Sequence, residues 1–432
     1  MISLVAVLVL IVILLLGVEI PYAFFASILV IVFFGGYDYT FLLPYGFSKV
    51  SSLILVAIPL FILAGQLMEK SGIGESLINF VTTFIGRIRG GLGAVMVISC
   101  ALFGSISGSG FATLSSIGTI MLPRMAAAGY PRGISTALIS SAALLGLLIP
   151  PSLNMILFAF IAGQSVLATF LSTLIPGIIL VILLIFTNWW MLRDCKTLVI
   201  PEKIEKTVFV KTLGNRTGRA IPALIAPFII LGGIYGGFLT PTEAAAVSVL
   251  YTIPIGILFY KGLDWKTFKT ALIIAGTTAG VIMIMLLSVM MLSRLYIMES
   301  VPDMILEFMM SVTENRLILI FMLNLFMIII GMLMDDTSAI LLSTPILLPV
   351  AISLDLHPIH FAAIMGVNLG LGCVTPPTAP FLYLGSRIGN TPINEMMRPT
   401  MWIILFAWIP TLFITTVFPE VALYLPKLFG LL

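Results

Sequence analysis

The chain has 432 residues, of which 60% are hydrophobic and 9% charged, with a formal net charge of +3. Soluble domains carry roughly half apolar and a quarter charged residues, so a water-soluble protein is excluded, and the charge balance is too small to suggest a nucleic-acid partner. No polar stretch is long enough to fold separately, which also excludes a soluble enzyme on a membrane anchor.

A spanning helix needs about 20 apolar residues, and apolar blocks recur from Ile2 to Leu432. Roughly a dozen crossings or part-crossings fit, giving an all-α polytopic membrane protein. The first block, Met1 to Leu16, has no basic residue before it and no small-residue cleavage site after it, so it is expected to be kept as a helix. GVEIP (Gly17 to Pro21) follows, then GSISGSG (Gly104 to Gly110), the pair Leu122-Pro123, and Pro150-Pro151, which lies 27 residues beyond Pro123.

Seven of the 21 basic residues then crowd between Arg193 and Arg219: Arg193, Lys196, Lys203, Lys206, Lys211, Arg216 and Arg219. The positive-inside rule makes this stretch cytoplasmic. It reads either as a solvated connector or as an amphipathic arm on anionic headgroups. Apolar runs Ala220 to Phe238 and Ala244 to Tyr260 bring the chain back to Lys261, Lys266 and Lys269, so two crossings return it to the same side.

The second half repeats the first. GFLTP (Gly237 to Pro241) answers GVEIP, and GMLMDDTS (Gly331 to Ser338) answers GSISGSG. Leu348-Pro349 answers Leu122-Pro123, and Pro376-Pro377 again lies 27 residues beyond the proline of that pair. Three coincidences in register argue duplication. The divisions are therefore 1–192, a first membrane repeat; 193–219, a basic cytoplasmic connector; and 220–432, a second repeat.

Gly/Ser- or Pro-interrupted apolar segments at matching places are the pattern of secondary transporters with inverted repeats. Lipid cannot hydrogen-bond a free carbonyl, so broken helices persist at depth only where protein, water or a ligand satisfies them. Four non-helical elements are expected, and their freed carbonyls and hydroxyls are the hard oxygens that sodium takes. The competing readings are surface turns or glycine-mediated helix crossings.

Ionisable residues in apolar segments add a second signal, since burying one costs about 2.5 to 3.5 kcal/mol. Arg294 closes the uncharged run from Thr270 to Ser293. It reads as a bidentate clamp for a carboxylate or as a helix-end arginine reaching for headgroups beside Glu299. Asp335 and Asp336 need a partner, water or a cation; the alternative is a helix N-cap before Thr337. Glu19 and Glu243, beside the matched prolines, read as helix-start carboxylates. His357 and His360 read as a loop-to-helix junction at Pro358, with Asp355 the one further candidate metal ligand nearby. Cys100, Cys195 and Cys373 show no CxxC spacing and read as packing residues, so no transition-metal site is expected. The absence of Walker A and GxSxG patterns leaves ATP-driven transport and serine-hydrolase chemistry unsupported.

The stretches GSISGSGFATLSSIGTIMLPRMAAAGYP (Gly104 to Pro131), GFLTPTEAAA (Gly237 to Ala246) and GMLMDDTSAILLSTPILLPVA through VTPPTAP (Gly331 to Pro380) resemble the signatures of the large membrane subunit of TRAP transporters, the tripartite ATP-independent periplasmic family. The resemblance covers essentially the whole chain. It implies a sodium-driven, elevator-type importer with re-entrant hairpins in the bacterial inner membrane. The implied partners are a small membrane subunit of about four helices and a periplasmic binding protein that delivers an organic acid.

Carried over by position, the hairpin tips fall at Ser105 to Gly110 and Met334 to Ser338, and the helix breaks at Pro150-Pro151-Ser152 and Thr375-Pro376-Pro377. For sodium the resemblance implies Ser105, Ser107, Gly108, Ser109, Gly110, Pro150, Asp335, Thr337, Thr375 and Pro376. For the substrate it implies Ser107, Ser152, Arg294 and Asp335. Asp336 and Ala379 stand where members often have Thr and Gly. The DDT and TPPTAP wording is closer to the sialic-acid branch than to the C4-dicarboxylate one. The alternatives are a self-sufficient sodium-coupled anion transporter and, from another class, an intramembrane enzyme, for which no converging acid, base or metal group is present.

Overall fold

The computed structural model describes residues 2–199 and 206–432; Lys203 of the basic connector lies outside the described residues. All regular structure among the described residues is helical. The first half runs α1 (Ile2–Leu15), α2 (Ile20–Gly35), α3 (Leu42–Val50), α4 (Ala57–Lys70), α5 (Ile73–Ile85), α6 (Gly91–Ser107), α7 (Gly110–Ala127), α8 (Arg132–Ala142), α9 (Leu145–Leu148), α10 (Leu153–Ala162) and α11 (Val166–Leu192). The second runs α12 (Lys206–Tyr235), α13 (Pro241–Pro254), α14 (Trp265–Met298), α15 (Val301–Val312), α16 (Arg316–Leu333), α17 (Asp336–Ser353), α18 (Pro358–Val374), α19 (Pro380–Gly389), α20 (Ile393–Ile403), α21 (Ile409–Val417) and α22 (Glu420–Leu428).

Length and composition let eight of these helices cross a membrane, or nine if the bent pair Arg132–Leu148 and Leu153–Ala162 is one span. Their outer faces are apolar, with Phe228, Leu250 and Ile273 all exposed, as lipid contact requires. The connector is only partly a loop. From Lys206 onward it is already the first turns of α12, because 206–219 contains no proline and places no helix breaker except two glycines.

The repeats match element by element. Hairpin α6–α7 corresponds to α16–α17, and α7 and α17 are each 18 residues long. The broken helix α8–α9 with α10 corresponds to α18 with α19, and both halves after the break are 10 residues long. Packing then exchanges between repeats: α2 packs on α14 and α13 on α4; α7 packs on α19 and α17 on α10; α20 packs on α8 and α18 on α11. Such reciprocal pairing is what two copies of one unit produce about a pseudo-two-fold axis.

Close crossings fix the hairpins. A Cβ on Gly104 would lie 2.6 Å from Gly146 Cα, and one on Gly372 would lie 2.6 Å from Gly331 Cα. Each hairpin's first helix therefore crosses its broken helix backbone to backbone, at corresponding places in the two repeats. The glycine crossings foreseen as an alternative to helix breaks thus occur alongside them.

Helix starts follow local chemistry. Glu243 completes a capping box with Thr240, accepting from the Thr240 N–H at 2.8 Å. Glu19 differs from its reading: it occupies the N-cap position of α2 but makes no side-chain cap bond. His357 caps α18, accepting from Ile359 N–H at 3.2 Å, as a loop-to-helix junction requires. Buried His360 is bonded through Nε2 to the Thr415 carbonyl at 2.7 Å.

Candidate functional site

The two hairpin tips and two helix breaks form one cluster, linked pairwise into a closed ring. At the first tip, Gly108 ends α6 with φ of 62°, a left-handed conformation that glycine adopts without strain. Its carbonyl accepts from Leu153 N–H at 3.3 Å, and a Cβ there would lie 3.0 Å from the Pro151 carbonyl. The first tip therefore rests on the first break.

From the other side α4 closes in, since a Cβ on Gly65 would lie 2.8 Å from the Ser107 carbonyl. The tip's hydroxyls face one another. Ser107 Oγ lies 3.3 Å from Thr113 Oγ1, and Thr113 Oγ1 donates to the Ser109 carbonyl at 2.8 Å. Ser109 caps α7 by accepting from Ala112 N–H, and buried Ser105 turns back to the Leu102 carbonyl at 2.7 Å. Gly110 opens α7 against Phe381, and Phe111 stacks on the Phe381 ring with centroids 4.3 Å apart. That contact joins the first tip to α19, beyond the second break.

At the second tip Asp335 is the N-cap of α17. Its Oδ2 accepts from Thr337 and Ser338 N–H at 3.2 and 3.3 Å, and its Oδ1 from Ser338 Oγ. The next carboxylate is held differently. Asp336 is buried, and its Oδ2 accepts from Asn154 Nδ2 at 2.7 Å. The same Asn154 side chain accepts from Thr337 Oγ1 at 3.2 Å. Asn154 sits in α10 just past the first break, so the second tip is tied to the first break.

The ring closes where Thr378 Oγ1, in the second break, donates to the Met332 carbonyl at the end of α16. Thr375 Oγ1 bonds the Leu371 carbonyl at 2.7 Å. Both breaks carry a cis peptide, Pro150-Pro151 and Pro376-Pro377. Two buried oxygens in the ring have no protein partner: Ser152 Oγ and Asp336 Oδ1. Buried polar atoms are nearly always paired, so these two are where a cation or a polar solute would complete the bonding.

Arg294 does not join this ring. It lies exposed one turn before the end of α14, its guanidinium over the Tyr45 ring at 5.9 Å from the centroid. Nearby Glu299 instead accepts from Tyr37 OH at 2.6 Å and Ser3 Oγ at 3.2 Å. Conversely, the ring includes residues the sequence did not single out for it: Asn154, Thr113, Thr378 and Phe381. Asn154 alone left a signal, as an amide inside the apolar run LNMILFAF.

Comparison with known proteins places the chain. The family model described as "Tripartite ATP-independent periplasmic transporter, DctM component" matches residues 7–421. The chain is 31% identical over 380 residues to the sialic acid TRAP transporter large permease protein of Vibrio cholerae, covering 88% of each chain. It is 31% identical over 399 residues to the C4-dicarboxylate TRAP transporter large permease protein of Rhodobacter capsulatus, covering 89% of each. It is also 31% identical over 401 residues to the isethionate TRAP transporter permease protein DctMQ of Oleidesulfovibrio alaskensis; this match takes in 92% of the chain but only 62% of that relative. Among solved structures, the Alcanivorax borkumensis YdaH transporter matches with a TM-score of 0.60 at 13% identity, over 88% of this chain and 87% of that one, a likeness of fold.

Proposed function

This chain belongs to the DctM-component family of tripartite ATP-independent periplasmic transporters, multi-pass proteins of the bacterial inner membrane, and from that premise we propose that it is the translocating subunit of a sodium-driven importer of an organic acid. The observation that carries the reading is the ring of two tips and two breaks with unpaired oxygens on Ser152 and Asp336. Sodium is proposed to bind among the tip and break oxygens, at Ser105, Ser107, Gly108, Ser109 and Gly110 with Pro150, and at Asp335, Thr337, Thr375 and Pro376. The substrate is proposed to lie between the tips, against Ser107, Ser152 and Asp335.

Arg294 we assign to the headgroup region, because its exposure and its Tyr45 contact match a side chain reaching outward. Relatives named for sialic acid, C4-dicarboxylates and isethionate are equally similar. Sialic acid comes first on the DDT and TPPTAP wording alone, and a C4-dicarboxylate next. The activity is translocation by an elevator movement of the hairpins, not catalysis. The partners are a small membrane subunit and a periplasmic binding protein, because the connections between helices are too short to form a capture domain.

Reconstitution tests this. Vesicles holding the chain and its small subunit should accumulate sialic acid only when the binding protein is outside and a sodium gradient points inward. Potassium in place of sodium should abolish accumulation. Accumulation driven by protons alone would overturn sodium coupling, and saturable uptake without the binding protein would make the chain a self-sufficient transporter.

A further inference from the structure

In both repeats the short helix before the hairpin packs on the hairpin's second helix, and beside the second such pair lies an apolar crevice. In the first repeat α5 lies directly on α7: a Cβ on Gly74 would lie 2.7 Å from Ser116 Oγ. Polar contacts fasten the same pair, with Arg124 donating to Asn79 Oδ1 at 2.8 Å and to Glu75 Oε1 at 3.0 Å. In the second repeat the corresponding helices, α15 and α17, also pack on one another. Between them, α1, α14 and α16 lies a crevice of about 720 Å³, lined by Leu10, Met309, Leu323, Leu342 and Ile346 among others.

Its chemistry is almost wholly apolar. None of the lining side chains among the described residues is charged, so the crevice does not suit an organic anion. Of its polar side chains, Ser3 is bonded to Glu299, Tyr296 to Ser27 and Thr378 to Met332. Only the buried Ser343 hydroxyl is unpaired. The rim, at Phe308, Phe326 and Ile329, is exposed on the outer surface of the helix bundle, where the surroundings are lipid.

Size decides between the apolar occupants available there. A helix is about 10–12 Å across with its side chains, so 720 Å³ would hold only about one and a half turns of it. The volume is that of a small-ligand pocket, and a thin, flexible chain can enter it from the rim. We propose that the crevice binds one acyl chain of a phospholipid, wedged between the second hairpin and the α1–α15 wall. The proposal rests on membrane placement and not on the transported substrate.

The test is photolabelling, which requires no transport. The full chain is reconstituted in phosphatidylethanolamine and phosphatidylglycerol vesicles with a trace of phospholipid carrying a diazirine in its acyl chain, irradiated, and mapped by peptide mass spectrometry. Adducts are expected on buried Met309 and Leu342 as strongly as on exposed Leu325 of α16. Filling the crevice by Ile346→Trp, or separately by Ser343→Phe, should remove the Met309 adducts and leave those on Leu325. Unlabelled Met309 and Leu342 beside labelled Leu325 would overturn the proposal, as would Met309 adducts that persist in both variants. Loss of the Met309 adducts on adding the small membrane subunit would assign the crevice to protein and overturn it equally.

Discussion

Asn154 bonds one repeat to the other's hairpin, donating to Asp336 and accepting from Thr337. A hydrogen bond to a charged group contributes about 1.5–3 kcal/mol, and removing its donor leaves a buried carboxylate unmatched. Asn154→Ala is therefore expected to destabilise the protein by about that amount and to abolish uptake. Chemical unfolding of the purified protein in detergent checks the first part; unchanged stability would mean that Asp336 is held by other groups. The sequence showed the cost of Asp336 but not its partner, which lies 182 residues away; such a pairing is set by the exchange between repeats, and no local pattern encodes it. Arg294 is the converse case, a charge whose position in the chain fits two roles until its neighbours are known. With its guanidinium over Tyr45 at the bundle surface, Arg294→Lys is expected to keep uptake within about twofold, since lysine reaches headgroups as well. Severe loss with normal insertion would restore the bidentate carboxylate clamp.

The breaks and tips are the elements most legible in the sequence, because glycine and tandem proline act on the backbone directly. Their positions follow from GSISGSG, GMLMDDTS and the two Pro-Pro pairs. Less legible are α5 and α15, short helices whose placement depends on what they pack against, and the helical start of the connector at Lys206. The second break also carries a strained residue. Ala379 has φ of 34° and is buried, in the left-handed region where a Cβ crowds the carbonyl. That conformation costs an alanine about 1–2 kcal/mol. Ala379→Gly is expected to raise stability by about 1 kcal/mol, the relief of strain outweighing the added freedom of the unfolded chain. Ala379→Val should lower it. A loss of stability in the glycine variant would show that the methyl group's packing under Ala379 outweighs its backbone strain.

Over the whole molecule, duplication, charge and packing bear on one question, which end of the bundle faces the cytoplasm. The basic stretches at 193–219 and 261–269 are separated by two helical spans long enough to cross, Leu213–Tyr235 in α12 and Pro241–Phe259, which is α13 with its continuation. The structure brings the two stretches to the same end. Tyr260 OH donates to the Arg219 carbonyl at 2.7 Å, and Arg89 reaches the Cys195 carbonyl at 2.8 Å, adding the α5–α6 turn to that end. The apolar part of α12 spans 23 residues, about 35 Å of rise, which carries Phe238 to the opposite face. Because lysine and arginine are retained on the cytoplasmic side, the basic end is expected to be cytoplasmic and Phe238 periplasmic. In a background with all three cysteines replaced, Lys196→Cys and Lys266→Cys are expected to react with a membrane-impermeant thiol reagent only after spheroplasts are lysed, and Phe238→Cys in intact spheroplasts. If either lysine position reacts from outside, the bundle is inverted or α12 and α13 do not both cross. If all three react only after lysis, α12 does not reach the far face, and the two-fold exchange of α2, α4, α13 and α14 would have to be explained without a membrane between its ends.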